Sequence, residues 1–367
     1  MDGPFARELD VAIGALQSAS RLSQLVISSV DKGVTQKQDL SLVTIADFAV
    51  QALLIATFKD AFPHDRFVGE EDASELRTNE ALRELVWGLL RRIAEDETTA
   101  RTCALPSTRK HMCDLIDLAG NGCPGGPGSG RVWVFDPIDG TQNYVRGELY
   151  ATNVALLIDG EPTVGVVGCP NLPINPTAPL HNRDVDLSGE GCILHAVRGE
   201  GAFIRPMHAD TASSLSSRRL GPHQPDLGSS PPDIRFVTCV GLVDSALDGV
   251  HGVVADRLGA PFPGSDLVPW VLRWAVLAMG LANTTMWVYK RTDRYAKVWD
   301  HAGAMLLFEE TGGKVTDVRG RAIDWTAGRK MSNNVGFVAA PAGTIHGKVL
   351  DTVQSVLRDQ GRLEYLD

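Results

Sequence analysis

The feature that most constrains this sequence is a short apolar run that ends in two carboxylates. Residues 132–135 read Val-Trp-Val-Phe, and the next six are Asp136-Pro137-Ile138-Asp139-Gly140-Thr141. The apolar run predicts a short buried strand, and the proline and glycine predict a sharp turn directly after it. Such a turn brings both carboxylates and the Ile138 carbonyl to one point, where a hard cation such as Mg²⁺ finds oxygen ligands. The alternative is an Asp-rich turn closed by an Asx hydrogen bond.

Length and composition indicate an ordinary globular protein. At 367 residues the chain exceeds one typical core, which favours two domains. Its formal net charge of −10 argues against a nucleic-acid polymer or an anionic membrane as partner, although a local basic pocket can still hold a phosphate. The sequence has neither an apolar run of membrane-spanning length nor a signal peptide's basic and apolar regions, so we expect a cytoplasmic protein. None of the six cysteines forms a C-x-x-C pair, which predicts reduced thiols.

Hydrophobic periodicity predicts a mixture of helices and strands. The predicted helices cover most of the first 31 residues, an apolar stretch from Asp47 to about Phe58, and residues 78–98, 267–283 and 299–313. The predicted strands cover residues 152–158, 163–167, 193–197, 202–204, 235–240 and 314–318. Asp159-Gly160 is a hairpin signal between the first two of these strands.

Segments rich in proline and glycine divide the chain. Four prolines between residues 170 and 179 mark the predicted boundary between an N-terminal α+β domain, residues 1–175, and a C-terminal α/β domain, residues 176–367. Residues 120–130 are rich in glycine, and residues 208–233 are rich in serine, proline and glycine. Both segments are predicted to be loops.

Three other acidic positions admit a structural and a functional interpretation. Asp47 is a carboxylate in the first turn of a predicted helix, and Glu70-Glu71-Asp72 is an acidic triplet of the kind found in solvated loops. Asp300 precedes a predicted helix and suits an N-cap. The functional interpretation of Asp300 is a helix N-terminus that faces a metal-bound phosphate.

Four motifs in order resemble the inositol monophosphatase superfamily of Mg²⁺-dependent, lithium-sensitive sugar and nucleotide phosphatases. They are V-T-x-x-D (43–47), G-E-E-D (69–72), D-P-I-D-G-T (136–141) and W-D-x-A-x₇-E-x-G-G (299–313). The chain is most similar to the 3′(2′),5′-bisphosphate nucleotidases, which convert adenosine 3′,5′-bisphosphate to AMP. The resemblance implies an α/β fold, a layered αβαβα sandwich of the inositol monophosphatase and fructose-1,6-bisphosphatase type.

The resemblance also implies a role for each motif residue. The metal ligands would be Glu70, Asp136, the Ile138 carbonyl, Asp139 and Asp300, holding two or three Mg²⁺ ions. The Gly140 and Thr141 amides would bind phosphate oxygens. The catalytic residues would be Asp47 and Thr141, which orient or deprotonate the attacking water, together with Glu70. Either Asp136 or Glu70 would bridge the metal ions. Glu71 would lie beside the ligands rather than among them.

The implied substrate pocket departs from the family pattern. The related nucleotidases use a Ser and a Lys on one helical turn, a later Arg and an upstream His, and the matching positions here are Trp270, Arg273, Trp287 and His251. Trp274 lies on the same predicted helix as Trp270. The three tryptophans, Trp270, Trp274 and Trp287, would form either an aromatic wall against the substrate or part of the core, and the core is favoured for Trp274. Either a basic loop supplies the positive charge that is lost where Trp287 takes the place of the family's Arg, or this loop is simply solvated. It contains Lys290, Arg291 and Arg294.

Three hypotheses about function follow. The first is a 3′(2′),5′-bisphosphate nucleotidase acting on a small phosphate monoester, as a monomer or a homodimer. The second keeps the metal chemistry but changes the substrate to an inositol phosphate, another sugar phosphate or the phosphate of a bulkier apolar metabolite. The third is a non-catalytic relative that binds a ligand, which the full carboxylate set disfavours because clustered like charges are costly without cations.

Overall fold

The computed structural model of the chain describes residues 3–31, 42–120, 129–209, 217–222, 233–240 and 245–367. The predicted loops at 120–130 and 208–233 lie largely outside these described residues. None of the described helices is long and apolar enough to cross a membrane.

A seven-stranded sheet forms the centre of the N-terminal part of the molecule. Its strands follow chain order: β1 (Arg66–Gly69), β2 (Arg131–Asp139), β3 (Ala151–Ile158), β4 (Glu161–Cys169), β5 (Cys192–Val197), β6 (Gly201–Pro206) and β7 (Arg218–Arg219). β1 and β2 are parallel, and every other neighbouring pair is antiparallel. The β3–β4 turn has positive φ at Asp159 and Gly160, 50° and 84°, as the hairpin signal predicts.

Both faces of this sheet are covered by helices. One face packs against α1 (Ala6–Asp31) and α2 (Leu42–Ala61), whereas the other packs against α9 (Trp270–Ala278) and α10 (Ala302–Glu309). Because side chains alternate along a strand, Trp133 and Phe135 join the first core and Val132 and Val134 join the second. Burial on both faces explains why this strand is apolar without alternation.

The remaining helices complete the first and last layers. Beside α1 and α2 lie α3 (Ser74–Thr78), α4 (Glu80–Ile93), α5 (Glu97–Thr102) and α6 (Arg109–Gly120), and the short α7 (Thr141–Val145) follows β2. α8 (Val250–Leu258) and α11 (Thr344–Asp359) pack on each other at the opposite side of the molecule. A third core cluster lies beneath them.

A second sheet lies between the middle and the last helical layers. It contains β10 (Thr285–Trp287), β12 (Phe337–Pro341) and β11 (Gly313–Thr316) in that order, all antiparallel. The short parallel pair β8 (Val237–Thr238) and β9 (Ser265–Asp266) continues it through a bridge between Phe236 and Thr284. The layers therefore run helix, sheet, helix, sheet, helix, which confirms the predicted α/β sandwich.

Several predicted elements are shorter than expected. The helix predicted over 267–283 begins only after Pro269, and Gly280 lies just beyond its end with φ 74°. The strand predicted over 235–240 reduces to β8. The helix predicted from residue 299 begins at Ala302, after a 3₁₀ turn at Val298–Asp300, so His301 and not Asp300 occupies the N-cap position.

The predicted boundary at residues 175 and 176 falls within the large sheet. β4 lies before it and β5 after it, and the two strands pair from Val164↔Val197 to Cys169↔Cys192. The division of the chain into two domains stays a prediction.

Candidate metal and phosphate site

The end of β2 builds the predicted turn. The β2–β3 register shifts between Asp136 and Asp139, and the Thr152 hydroxyl donates to the Pro137 carbonyl at 2.8 Å within this irregularity. Gly140 has φ 88°, and a Cβ there would lie 2.4 Å from Cγ of Pro269. Only glycine therefore fits between β2 and the N-terminus of α9.

Glu70 and Asp136 become neighbours through the parallel pairing of β1 with β2. Gly69 is the register partner of Phe135 at the ends of these strands, and the two acidic residues come next in each segment. Asp300 reaches the same point from the 3₁₀ turn, where the Asn153 side chain donates to the Trp299 carbonyl at 2.6 Å. The carboxyls of Asp300 and Asp136 are within hydrogen-bonding reach of each other.

Asp139 is held by the start of α9. The Val271 amide donates to its Oδ2 at 2.6 Å. Burial raises the pKa of Asp139 to about 6, whereas the Val271 amide and the Arg273 charge act in the opposite direction. The N-terminus of α9 thus orients a predicted ligand and favours its charged form.

The raised pKa values of the other carboxyls indicate that groups of like charge lie close together. Burial, and then the charge of Asp139, raises the pKa of Glu70 to about 7. Burial and then Glu70 raise the pKa of Asp136 and of Asp47, and burial and then Asp139 raise that of Asp300. The five carboxyls predicted from the sequence therefore share one electrostatic environment, which favours cations or protons.

Two buried carboxylate oxygens without a hydrogen-bond partner are suited to bind a hard cation. Asp47 Oδ1 and Asp136 Oδ1 are buried, and no hydrogen-bond partner is found for them among the described residues. In the same part of the chain, no group of three or more His, Cys, Asp or Glu side chains is placed so that it could hold a metal ion. The donor chemistry fits Mg²⁺, and the individual ligand assignments stay predictions.

Thr141 and Asp47 approach the turn from different helices. Thr141 is the first residue of α7, directly after Gly140, and is half-buried. Asp47 is a buried residue of α2, and α2 packs against α7. Their roles toward water and phosphate stay predictions.

The predicted substrate cation, Arg273, is enclosed. It is 3% exposed, and its side chain donates to the Leu267 and Val268 carbonyls, each at 2.8 Å. Its guanidinium carbon lies 4.1 Å from the ring centroid of Trp270 and 4.8 Å from that of Trp287. We call Trp270, Arg273 and Trp287 the buried arginine cluster.

The burial of His251 and Trp287 does not support their predicted contacts with substrate. The His251 Nε2 accepts a hydrogen bond from the Val288 amide at 3.1 Å, and burial lowers the pKa of this histidine to about 4. Trp287 is 2% exposed within β10. Trp274 is fully buried, in agreement with its assignment to the core, and its indole donates to His301 Nδ1 at 3.0 Å. Trp270 is the partly exposed member of the set.

The basic loop forms ordinary surface ion pairs. Lys290 pairs with Asp248 at 3.7 Å, and Arg291 pairs with Asp293 at 2.6 Å. These contacts favour the solvated-loop interpretation over replacement charge for a substrate.

Sequence reasoning missed a second group of cations. Arg329 donates to the Glu70 carbonyl at 3.0 Å and to the Ala119 carbonyl at 2.8 Å, and its guanidinium carbon lies 4.7 Å from the Trp299 ring centroid. The Lys297 ammonium lies 5.4 Å from the same ring. We call Lys297, Trp299 and Arg329 the cleft cluster, because they line a cleft of about 830 Å³ together with Glu70 and Asp300. The only sequence signal was a basic pair after Gly328.

Comparison with known proteins decides the family. The profile of the inositol monophosphatase family matches residues 119–358. The chain is 35% identical to a 3′(2′),5′-bisphosphate nucleotidase of Emericella nidulans, over 96% of this chain and 99% of the relative. The chain belongs to the inositol monophosphatase family. The corresponding nucleotidase of Schizosaccharomyces pombe is 34% identical over 96% of both chains.

Solved structures of the family agree with the fold. Inositol monophosphatase II of Staphylococcus aureus matches with a TM-score of 0.57 at 17% identity, over 97% of this chain and 96% of the other. An inositol monophosphatase of Anabaena matches with a TM-score of 0.56 at 17% identity, over 96% and 97%. Membership in the family confirms the predicted resemblance and the enzyme class, a phosphatase.

Proposed function

We propose that this chain is a Mg²⁺-dependent phosphomonoesterase whose substrate is a 3′(2′),5′-bisphosphate nucleotide, with adenosine 3′,5′-bisphosphate converted to AMP and phosphate. The observation that carries the proposal is the convergence of Glu70, Asp136, Asp139 and Asp300 at one edge of the large sheet. The choice of nucleotide rests on the full-length similarity to curated bisphosphate nucleotidases.

Each residue of the site has a separate proposed role. Glu70, Asp136, Asp139, Asp300 and the Ile138 carbonyl would hold the Mg²⁺ ions. Bound cations of this kind neutralise a phosphate ester and activate water for attack on it. The amides of Gly140 and Thr141, at the start of α7, would bind phosphate oxygens. The Thr141 hydroxyl would orient the attacking water and pass a proton toward Asp47, whose burial raises its pKa and suits it to accept one.

A second candidate is the same chemistry on a different monoester. The observation that favours it is the buried arginine cluster, in which tryptophans occupy the expected Ser and Arg positions and enclose the one remaining cation. An inositol phosphate, a sugar phosphate or the phosphate of an apolar metabolite would then be the substrate.

Phosphate release from a substrate panel tests the proposal. The purified protein with Mg²⁺ should give its highest kcat/KM on adenosine 3′,5′-bisphosphate, and lithium should inhibit the reaction. A matched sample with EDTA serves as control. Turnover of inositol 1-phosphate without turnover of the bisphosphate would favour the second candidate, and no turnover of any ester would favour a non-catalytic protein.

A further inference from the structure

Three cations meet on a short pair of antiparallel segments at the wall of the cleft. The Val298 amide donates to the Arg329 carbonyl at 3.1 Å, and the Met331 amide donates to the Ala296 carbonyl at 3.0 Å. These bonds flank Lys297 and Lys330, which are direct register partners. Directly opposite residues project their side chains from the same face, with Cβ atoms about 4.5–5.5 Å apart.

The like charges on this wall form no close ion pair among the described residues, although the charges of Asp72, Glu70 and Glu71 act on Arg329 from a longer distance. Opposed like charges destabilise a strand pair. Within the described residues, Lys297, Arg329 and Lys330 form no ion pair within 4.0 Å with any carboxylate. Instead, Arg329 donates to backbone carbonyls, and all three residues line the cleft. An anion in the cleft would relieve their mutual repulsion.

The carboxylates at the floor of the cleft do not account for this charge once metal is bound. Lys297 and Arg329 oppose the rise in the pKa of Glu70, so in the metal-free protein they offset part of its negative charge. Two divalent cations would balance the four predicted ligand carboxylates, which leaves Asp72 and Glu71 as the acidic groups that still act on Arg329. The wall would then face a negatively charged substrate with its cations free to interact.

We propose that Lys297, Arg329 and Lys330 bind the second, non-reacting phosphate of the substrate. This inference rests on the proposed function and assigns to the cleft wall the contact that the buried arginine cluster does not offer. Arg273 is enclosed by two indoles and bonded to carbonyls, whereas the cleft opens directly onto Glu70 and Asp300.

Two substrates that differ only in the second phosphate test the inference. Lys330→Gln and Lys297→Gln are compared with the wild type on adenosine 3′,5′-bisphosphate and on adenosine 3′-monophosphate. We expect KM for the bisphosphate to rise about tenfold in each variant, because each loses one charged contact to phosphate, while KM for the monophosphate changes less than about twofold. Lys290→Gln removes a surface lysine outside the cleft and should behave as the wild type.

Calorimetric titration with Mg²⁺ supplies a readout other than turnover. Lys330→Gln should leave Mg²⁺ affinity unchanged. An equal rise of KM for both substrates, no change for either, or weaker Mg²⁺ binding by Lys330→Gln would overturn the inference, because the lysines would then act only through the carboxylates or not at all. Wild-type protein that releases no phosphate from the bisphosphate would instead refute the proposed function itself.

Discussion

The buried arginine cluster and the cleft cluster each place an arginine over a tryptophan, and they differ in what surrounds them. In the buried arginine cluster, Arg273 lies 4.1 Å from one indole and is 3% exposed. In the cleft cluster, Arg329 lies 4.7 Å from an indole and lines an open cleft. Both guanidinium groups donate to two backbone carbonyls. The two arginines therefore make similar direct contacts, but Arg273 is buried and Arg329 faces an open cleft.

Exposure decides what each arginine can do. A buried cation must keep its partners, because no water replaces them when they are lost. Arg273 bonds the Leu267 and Val268 carbonyls, just before the helix whose Val271 amide holds Asp139. We infer that it fixes the start of α9 and so positions Asp139. A partly exposed cation can exchange water for a ligand, and this separates the cleft cluster from the buried one.

Arg273→Gln should have the largest effect on stability. The shorter neutral side chain leaves polar groups unpaired between the indoles of Trp270 and Trp287, so we expect the free energy of unfolding to fall by about 3–5 kcal/mol. Urea denaturation measures the loss. Arg273→Lys keeps the charge but not the planar fork, and should recover only part of it. A loss below about 1 kcal/mol for Arg273→Gln would contradict the distinction between the clusters.

Asp139→Asn should separate activity from stability. The substitution removes one negative charge from a predicted ligand but keeps its shape, so kcat/KM should fall at least about 100-fold. Metal-free stability should stay the same or rise, because the repulsion that raises the pKa of Glu70 and of Asp300 is relieved.

Phosphate release and thermal unfolding in EDTA measure the two effects. Asp293→Asn, at an exposed residue of the Arg291 ion pair, is the matched control. Full activity of Asp139→Asn would show that the site is assigned wrongly.

Mg²⁺ stabilisation should increase with pH. Protons compete with cations for Glu70 and Asp139, whose pKa values are raised to about 7 and about 6. Raised carboxyl pKa values favour the metal-free fold at low pH, and that advantage is lost as pH rises from about 4 to about 7. The buried histidines titrate in the opposite sense, since burial lowers the pKa of His251 and of His195 to about 4.

Only the difference between samples with and without Mg²⁺ isolates the carboxyls. We expect that difference to be small at pH 5 and to reach about 2.7 kcal/mol at pH 8 with Mg²⁺ at a hundred times its Kd. Thermal melts at both pH values in Mg²⁺ and in EDTA measure it. Equal stabilisation at the two pH values would mean that these carboxyls do not bind the metal.

The sequence predicted features that a few neighbouring residues determine. The turn after Phe135 and the Asp159-Gly160 hairpin both follow from local backbone preferences. The proximity of Glu70 to Asp136 required more, namely the parallel pairing of strands that lie 66 residues apart in register. The family resemblance supplied that information, because periodicity alone does not pair strands.

The substrate side of the site was less predictable because its contacts are long-range. Arg329 meets the Glu70 carbonyl across 259 positions, and nothing next to either residue signals that contact. The sequence predicts Trp287 as a substitution in a binding pocket, yet it belongs to β10, in the sheet between the middle and last helical layers, and is buried there. Residue type at a family position therefore did not by itself predict whether the side chain is exposed.

Arg329→Gln is the direct counterpart of Arg273→Gln and should reduce stability much less. Water can replace the Arg329 bonds to the Glu70 and Ala119 carbonyls because the side chain lines an open cleft, so we expect a loss of about 1 kcal/mol. The same urea series measures it, with Arg291→Gln as a surface control that should stay within about 0.5 kcal/mol of the wild type. If Arg329→Gln costs as much as Arg273→Gln, exposure is not what separates the clusters, and Arg329 must be regarded as a structural support of Glu70 rather than as a cation available to a ligand.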